Sequence, residues 1–292
     1  VTRPAALLAA LRPRQWTKNL ALLAPLLFAQ RAGDPAAASR ALLGFLAFCL
    51  AASAVYLGND LADREADRLH PEKRLRPLAS GAISARAAAV TGVALALLAL
   101  ALGFFLPARF LACVAGYFAL QLAYNAGLKR LVIVDVFAIA AGFVLRVVAG
   151  AEAIDVPISN WLYLCTLLLA LFLALAKRRA ELSLLSADAA RHRAILAEYS
   201  VPLVDQLVGV TSASAILAYA LYTTAADTVQ KFGTDRLKFT VPLVIFGLFR
   251  YLYLVARRGE GGHPERVLLH DRPTQVNLVL YVATVAWALY SR

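Results

Sequence analysis

An all-α integral membrane protein is the fold class this sequence predicts, and three observations predict it. Of 292 residues, 61% are hydrophobic and 16% charged, against about 45–50% and about 25% in ordinary soluble domains. The apolar residues are gathered into runs close to the ~20 residues that a helix needs to cross a bilayer. The Lys and Arg of a chain with net charge +12 fall between those runs, where anionic headgroups attract them.

Nine candidate spans follow in order, at 16–30, 39–59, 85–106, 108–125, 131–151, 158–177, 202–224, 238–256 and 275–290. The first opens on Trp16, an interfacial anchor, and has basic flanks without a small-residue cleavage site, so it reads as a helix and not as a cleavable signal. The second runs directly into Asn59 and Asp60. Pro107 divides the third from the fourth. The fifth carries Asp135 and Arg146, and the sixth ends in Lys177, Arg178 and Arg179. The last three are separated by polar loops. With the N-terminus in the cytoplasm, 21 Lys and Arg fall on inner segments and 7 on outer ones, with Arg146 and Arg250 inside spans. This bias predicts a multi-pass protein of the inner (plasma) membrane, N-terminus in and C-terminus out.

Other classes fit less well. A basic excess can mark a nucleic-acid binder, but nothing here reads bases, so no nucleic-acid partner is expected. Cys49, Cys113 and Cys165 lie in apolar runs without metal-type spacing and read as small core residues. His192, His263 and His270 are dispersed in loops and are assigned no role. A transporter would carry its ionisable residues near the midplane between repeated halves, whereas most acids here gather at one membrane face.

The most informative stretch is Asn59-Asp60-Leu61-Ala62-Asp63-Arg64-Glu65-Ala66-Asp67. In a continuing helix Asn59, Asp63 and Asp67 lie four residues apart on one face, with Asp60 beside Asp63. Oxygen ligands at this density suit Mg2+, which keeps waters and shares its shell with substrate phosphates. Immediately downstream Pro71 and Pro77 deny the loop a regular helix, and Gly81 permits a turn. Lys73, Arg74 and Arg76 there bring cations within reach of the acidic face. Arg suits phosphate through its planar fork, and Lys acts as a point charge.

Asn59–Asp67 followed by Lys73–Gly81 resembles the first signature, Asn-Asp-x-x-Asp-x-x-x-Asp, of the UbiA superfamily of intramembrane prenyltransferases. The resemblance covers essentially the whole chain. It implies a single transmembrane domain over 1–292, a nine-transmembrane-helix bundle with a central cavity open to the cytoplasmic side. It also implies a Mg2+-diphosphate held by Asn59, Asp60, Asp63 and Asp67, the three Asp being the catalytic candidates. Most of the family carries another Asp-x-x-x-Asp motif near the sixth span. Here that region reads Ala176-Lys177-Arg178-Arg179-Ala180-Glu181-Leu182, basic with a single acid, which argues for phosphate handled directly by Lys and Arg.

That departure, with Arg12–Asn19, Tyr124–Lys129 and the interval from Asp135 to Arg146, is similar to one branch of the superfamily, the decaprenyl-phosphate phosphoribosyltransferases. The branch implies phosphoribosyl diphosphate as donor and a polyprenyl phosphate as acceptor, with a product that leads toward cell-wall arabinan. Lys73, Arg76, Lys177 and Arg178 become candidates for substrate phosphates. Tyr124 and Lys129 join them, though a tyrosine and a basic anchor are common at a helix end. Lys18, with Arg14, Gln15 and Asn19, could bind the acceptor phosphate or fix the first helix at the headgroups.

Asp135 and Arg146 are costly in lipid and so are functional candidates. They are eleven residues apart, about three turns, so they share a face without touching. Asp135 could pair with Lys129 or receive ribose hydroxyls, and the deeper Arg146 could pair internally. The alternative enzyme is a prenyltransferase with a polyprenyl diphosphate donor and an aromatic or glycerol-phosphate acceptor. The apolar outer helix faces would serve membrane lipid or a second copy in a homo-oligomer equally well.

Overall fold

The computed structural model describes residues 4–69, 73–184, 194–258 and 264–291. Arg3, the stretch 70–72, Arg191, His192, Arg193 and His263 lie outside the described residues. All regular structure among the described residues is helical. The chain packs as two compact units, Val1–Gly127 with Leu145–Pro157, and Leu128–Val144 with Ile158–Arg292.

The first unit begins with the short helix α1, Pro4–Ala10, followed by a 3-10 helix over Pro13–Leu23 and the five-residue α2, Ala24–Phe28. The expected span at 16–30 is therefore a tightly wound segment broken near Pro25. Pro13 starts it, and its Leu22 carbonyl lies so close to Gly150 that a Cβ there would be 1.9 Å away. Trp16 Nε1 donates to Ser53 Oγ at 3.0 Å, and that hydroxyl donates to the Leu11 carbonyl at 2.8 Å. These bonds tie the N-terminal segment to the next helix.

That helix, α3, covers Pro35–Ala62. Asp34 caps it, accepting from the backbone N–H groups of Ala36 and Ala37, and Pro35 sits at its first position, where a missing N–H costs nothing. At ~1.5 Å per residue, 28 residues extend about 42 Å, beyond the ~30 Å hydrocarbon core. The helix is thus longer than the apolar layer is thick, and its C-terminal end carries Asn59 to Ala62. After a pause at Asp63 the chain resumes as α4, Arg64–Leu69.

A turn with Gly81 at φ 79° leads to α5, Ala85–Gly103, capped by Ser84. α6, Ala108–Ala126, follows. The core is built from Phe48 and Val114 around Phe110 and Tyr117. The Phe48 and Phe110 rings meet edge to face at 5.9 Å. α7, Val134–Ala153, gives its second half to this unit.

The second unit holds the first half of α7, α8 (Asn160–Leu184), α9 (Val201–Thr224) and α10 (Ala226–Phe232), then α11 (Val241–Arg258), α12 (Pro264–His270) and α13 (Arg272–Tyr290). Ser200 and Asp271 cap α9 and α13. Its core gathers Phe172, Leu175, Tyr199, Tyr251 and Leu254.

Six helices among the described residues are long and apolar enough to cross a membrane: Pro35–Ala62, Ala85–Gly103, Val134–Ala153, Asn160–Ser183, Val201–Thr224 and Arg236–Arg257. They make the chain a multi-pass membrane protein. The expected spans at 108–125 and 275–290 are helices α6 and α13, with more polar side chains such as Gln121, Asn125, Gln275 and Asn277.

Candidate functional site

The first unit carries the acidic motif. Asp60 and Asp67 are both 3% exposed, although each carries a carboxylate. Arg76 reconciles this: its Nη1 donates to Asp67 Oδ2 at 2.6 Å and to Asp60 Oδ1 at 3.2 Å. Arg12 Nη2 adds a bond to the same Asp60 oxygen at 2.5 Å. Arg12 also lies over the Tyr56 ring, 4.9 Å from its centre, and has φ 54°. A left-handed residue other than glycine is uncommon and is held only by its surroundings.

The expected face was Asn59, Asp63 and Asp67, but the structure brings together Asp60 and Asp67 and leaves Asp63 exposed. Helical geometry explains the change. At ~100° per residue, seven positions return to within about 20° of the same side, whereas eight drift by about 80°. Asp63 and Asp67 keep helical backbone bonds, from Asp63 N–H to Asn59 O at 2.9 Å and from Asp67 N–H to Asp63 O at 2.8 Å. The pause at Asp63 thus leaves the winding nearly intact.

Asn59 points elsewhere. Its Oδ1 accepts from Asn125 Nδ2 at 2.8 Å, and Asn125 Nδ2 also donates to the Gln121 carbonyl at 2.8 Å. Lys18, Lys73 and Tyr124 also belong to this unit, partly buried and each engaged in a contact. Arg146 sits deeper, 5% exposed. It donates from Nε to Asn19 Oδ1 at 2.7 Å and from Nη2 to Tyr117 OH at 3.3 Å, and lies 4.8 Å from the centre of the Tyr117 ring. Asn19 in turn donates to Cys49 Sγ at 3.3 Å. This is the internal pairing expected of Arg146.

The second unit holds Lys129, Asp135, Lys177 and Arg178. Asp135 pairs with Arg178 instead of Lys129, Arg178 Nε donating to its Oδ2 at 2.7 Å. Tyr199 OH donates to the other oxygen at 2.7 Å. Arg178 Nη1 reaches Glu181 Oε2 at 2.6 Å. The Tyr199 hydroxyl accepts from the Ile133 N–H at 2.7 Å. Ile133 has φ 68°, a strained conformation for a β-branched residue. Burial, and then donation to Asp135, push the Tyr199 hydroxyl up to about 12. Lys129 and Lys177 are half-buried.

Four residues that sequence reasoning left without these roles thus emerge. Arg12 and Asn125 lay inside stretches already singled out, Arg12–Asn19 and Tyr124–Lys129, so a signal existed. Asn19 was weighed only for the acceptor phosphate. Tyr199 had none, because its partner Ile133 is 66 positions away.

The donor chemistry fits a divalent cation. One cationic nitrogen is shared by the Asp60 and Asp67 carboxylates, so both oxygens converge on one positive position. No group of three or more His, Cys, Asp or Glu converges among the described residues. A site with two carboxylates matches Mg2+, which is commonly held by one or two carboxylates together with substrate phosphates.

The UbiA prenyltransferase family model matches residues 20–270. The chain belongs to the UbiA family. Decaprenyl-phosphate phosphoribosyltransferase of Mycolicibacterium smegmatis is 35% identical, the match covering 97% of this chain and 92% of that one. The protein of the same name from Mycobacterium tuberculosis is 34% identical over 99% and 97% of the two chains. The fold agrees with that of a UbiA homologue from Archaeoglobus fulgidus bound to GPP and Mg2+. It superposes with a TM-score of 0.73 at 22% identity, covering 96% of this chain and 98% of the other. As a UbiA-family protein with these relatives, the chain is a membrane-embedded transferase.

Proposed function

We propose that this UbiA-family enzyme transfers a 5-phosphoribosyl group from phosphoribosyl diphosphate to a polyprenyl phosphate, releasing diphosphate, in the synthesis of a cell-wall arabinan precursor. The observation that carries this reading is near-full-length similarity to the decaprenyl-phosphate phosphoribosyltransferases. The basic stretch at 176–182 supports it, since a second acidic motif would be expected of a prenyl diphosphate site.

Asp60 and Asp67 would hold Mg2+, with Asp63 at the exposed rim. When bound, the ion neutralises charge on the leaving diphosphate. Arg12 and Arg76, already on those carboxylates, are placed to turn toward phosphate oxygens as the anionic donor arrives. Lys18, Lys73 and Tyr124 in the first unit, and Lys129 and Lys177 in the second, are the further phosphate candidates. Asp135 and Arg178 support the second unit through each other, which leaves Arg178 a positioning residue. Arg146 has the same character in the first unit.

In the reaction the bond from ribose C1 to the diphosphate oxygen breaks, and the diphosphate leaves with the electron pair. An oxygen of the lipid phosphate forms the new bond from the opposite face, inverting C1. The attacking phosphate is already ionised near neutral pH, so no general base is needed. Holding two anionic substrates in line is the main task of the chain. A water-soluble donor requires the site to face the cytoplasm, with the lipid tail along the apolar helix faces.

The test is incubation of purified protein with Mg2+, labelled phosphoribosyl diphosphate and a polyprenyl phosphate. Label should enter the organic phase, vanish with EDTA, and fall at least ~100-fold in Asp60→Ala and Asp67→Ala, in line with the loss of a catalytic metal's oxygen ligand. Product formed instead from a polyprenyl diphosphate and an aromatic acceptor would overturn the reading.

A further inference from the structure

Ile133 stands in a conformation that its own side chain does not explain. It has φ 68°, a region especially costly for a β-branched residue. It is also 44% exposed, so tight packing of the side chain does not hold it there. The Val134 N–H donates to the Val132 carbonyl at 2.8 Å and closes a three-residue turn around it. With a positive φ at its centre, this is the rarer, strained hand of such a turn.

One hydroxyl grips the turn. The Ile133 N–H donates to Tyr199 OH at 2.7 Å, and Tyr199 OH donates to Asp135 Oδ1 at 2.7 Å. Asp135 is fixed from its other oxygen by Arg178. Tyr199 is 4% exposed and stands directly before Ser200, the cap of α9. The clamp is thus buried, whereas the residue it acts on faces outward. Such a contact adds little to core packing and sets the path of the backbone at 133.

That path matters upstream. Leu131 N–H donates to Leu128 O at 3.2 Å, and Asp135 N–H donates to Leu131 O at 3.0 Å. These two bonds join the strained turn to the short 3-10 helix Leu128–Arg130. Lys129 lies in that helix, half-buried. A change of φ at 133 swings the segment that carries Lys129 relative to α7.

We propose that Tyr199 is a positioning residue that clamps the strained turn at Ile133 to Asp135 and so sets the direction in which Lys129 meets a substrate phosphate. The phosphate contact of Lys129 rests on the proposed function. The clamp rests on geometry within the second unit alone. Glycine would take φ 68° without cost, so an isoleucine there makes the turn dependent on Tyr199.

The test is steady-state kinetics of the full chain in detergent. KM is read for phosphoribosyl diphosphate and for polyprenyl phosphate, each with the other saturating. Tyr199→Phe should raise one KM about tenfold, as expected when a hydrogen bond to a charged group is misplaced, with kcat within about threefold of wild type. Which KM moves tells a donor phosphate from an acceptor phosphate. Ile133→Pro removes the N–H and forbids a positive φ, yet leaves Tyr199 its bond to Asp135. It should raise the same KM by a similar factor. Ile133→Gly added to Tyr199→Phe should return that KM to within about threefold of wild type. In a Lys129→Met background, Tyr199→Phe should add less than about twofold.

Melting temperatures confirm that the variants are folded, and Ile133→Pro carries the same cycle with Lys129→Met if Tyr199→Phe does not fold. A full tenfold loss that persists without the Lys129 amine would overturn the proposal, as would unchanged KM values in Ile133→Pro. Failure of the phosphoribosyl reading looks different, since the wild type itself would then give no turnover with phosphoribosyl diphosphate. Calorimetric titration of the same variants with geranyl diphosphate would in that case decide whether Tyr199 acts through Lys129.

Discussion

Replacing Arg178 with Met is the sharpest test of how the second unit is held together. Arg178 is 1% exposed and Asp135 0%, so water cannot screen either partner. Removing the guanidinium leaves Asp135 with one remaining side-chain partner among the described residues, the Tyr199 hydroxyl at 2.7 Å. A buried carboxylate stripped of its cation costs about 3–5 kcal/mol. Glu181 loses a bond too, but its side chain is 22% exposed and can be solvated, so it adds little. In a chain of this size the loss corresponds to a fall in melting temperature of roughly 6–15 °C. The double variant Asp135→Asn with Arg178→Met removes both charges and keeps an oxygen for Tyr199. It should cost about 1–3 kcal/mol, less than Arg178→Met alone. Intrinsic fluorescence during heating of the detergent-solubilised protein, completed as a double-mutant cycle, reads both quantities. A shift below about 2 °C for Arg178→Met, or a double variant as damaged as the sum of the singles, would refute the coupling.

Two further predictions follow from single residues. Tyr199, pushed up to about 12 against an ordinary value near 10, keeps its proton in the folded state over a range in which the unfolded chain gives it up. Its contribution to stability is complete below about pH 10 and is lost as pH rises toward about 12. Ultraviolet titration of the folded protein should show that Tyr199→Phe removes one late-titrating tyrosine and leaves the early-titrating ones unchanged. Gly150→Ala would place a Cβ 1.9 Å from the Leu22 carbonyl oxygen, a backbone clash with no flexible side chain to yield. Folded yield should collapse. Gly44→Ala meets side chains and no backbone, the edge of the Phe110 ring at 3.0 Å and the Ala153 Cβ at 3.4 Å, and should cost roughly 1–3 kcal/mol. Gel-filtration profiles that show the two variants equally well folded would contradict this ranking.

The membrane class and the acidic motif were legible in the sequence because both are local. A run of apolar residues and a cluster of acids lie within about one helix, and helical periodicity maps them to faces. The winding of the first span was not legible for a related reason. Its composition is apolar, but Pro13, Pro25 and the backbone contact of Leu22 with Gly150 favour tighter, broken winding, and hydropathy does not register winding. The pairing of Asp135 with Arg178 was out of reach because its partners are 43 positions apart. Lys129 was the nearer cation and the natural guess. No spacing rule chooses between a cation six residues away and one on the far end of the next helix.

The acidic motif shows how a site can be legible in composition and illegible in arrangement. Asp60 and Asp67 are drawn to one point, and two carboxylates at such a separation repel unless a positive group lies between them. Arg76 supplies it from the loop after the motif, and Arg12 supplies a second cation from a strained position before the first span. The two arginines preserve a convergent carboxylate pair when no other cation is present, with little rearrangement needed once one arrives. They also hold guanidinium groups beside the place where an anionic substrate would sit. A single acidic motif, read alone, implies a metal. On the proposed function, its two arginines suit a site in which metal and phosphate would arrive together, each taking the partner that the other releases.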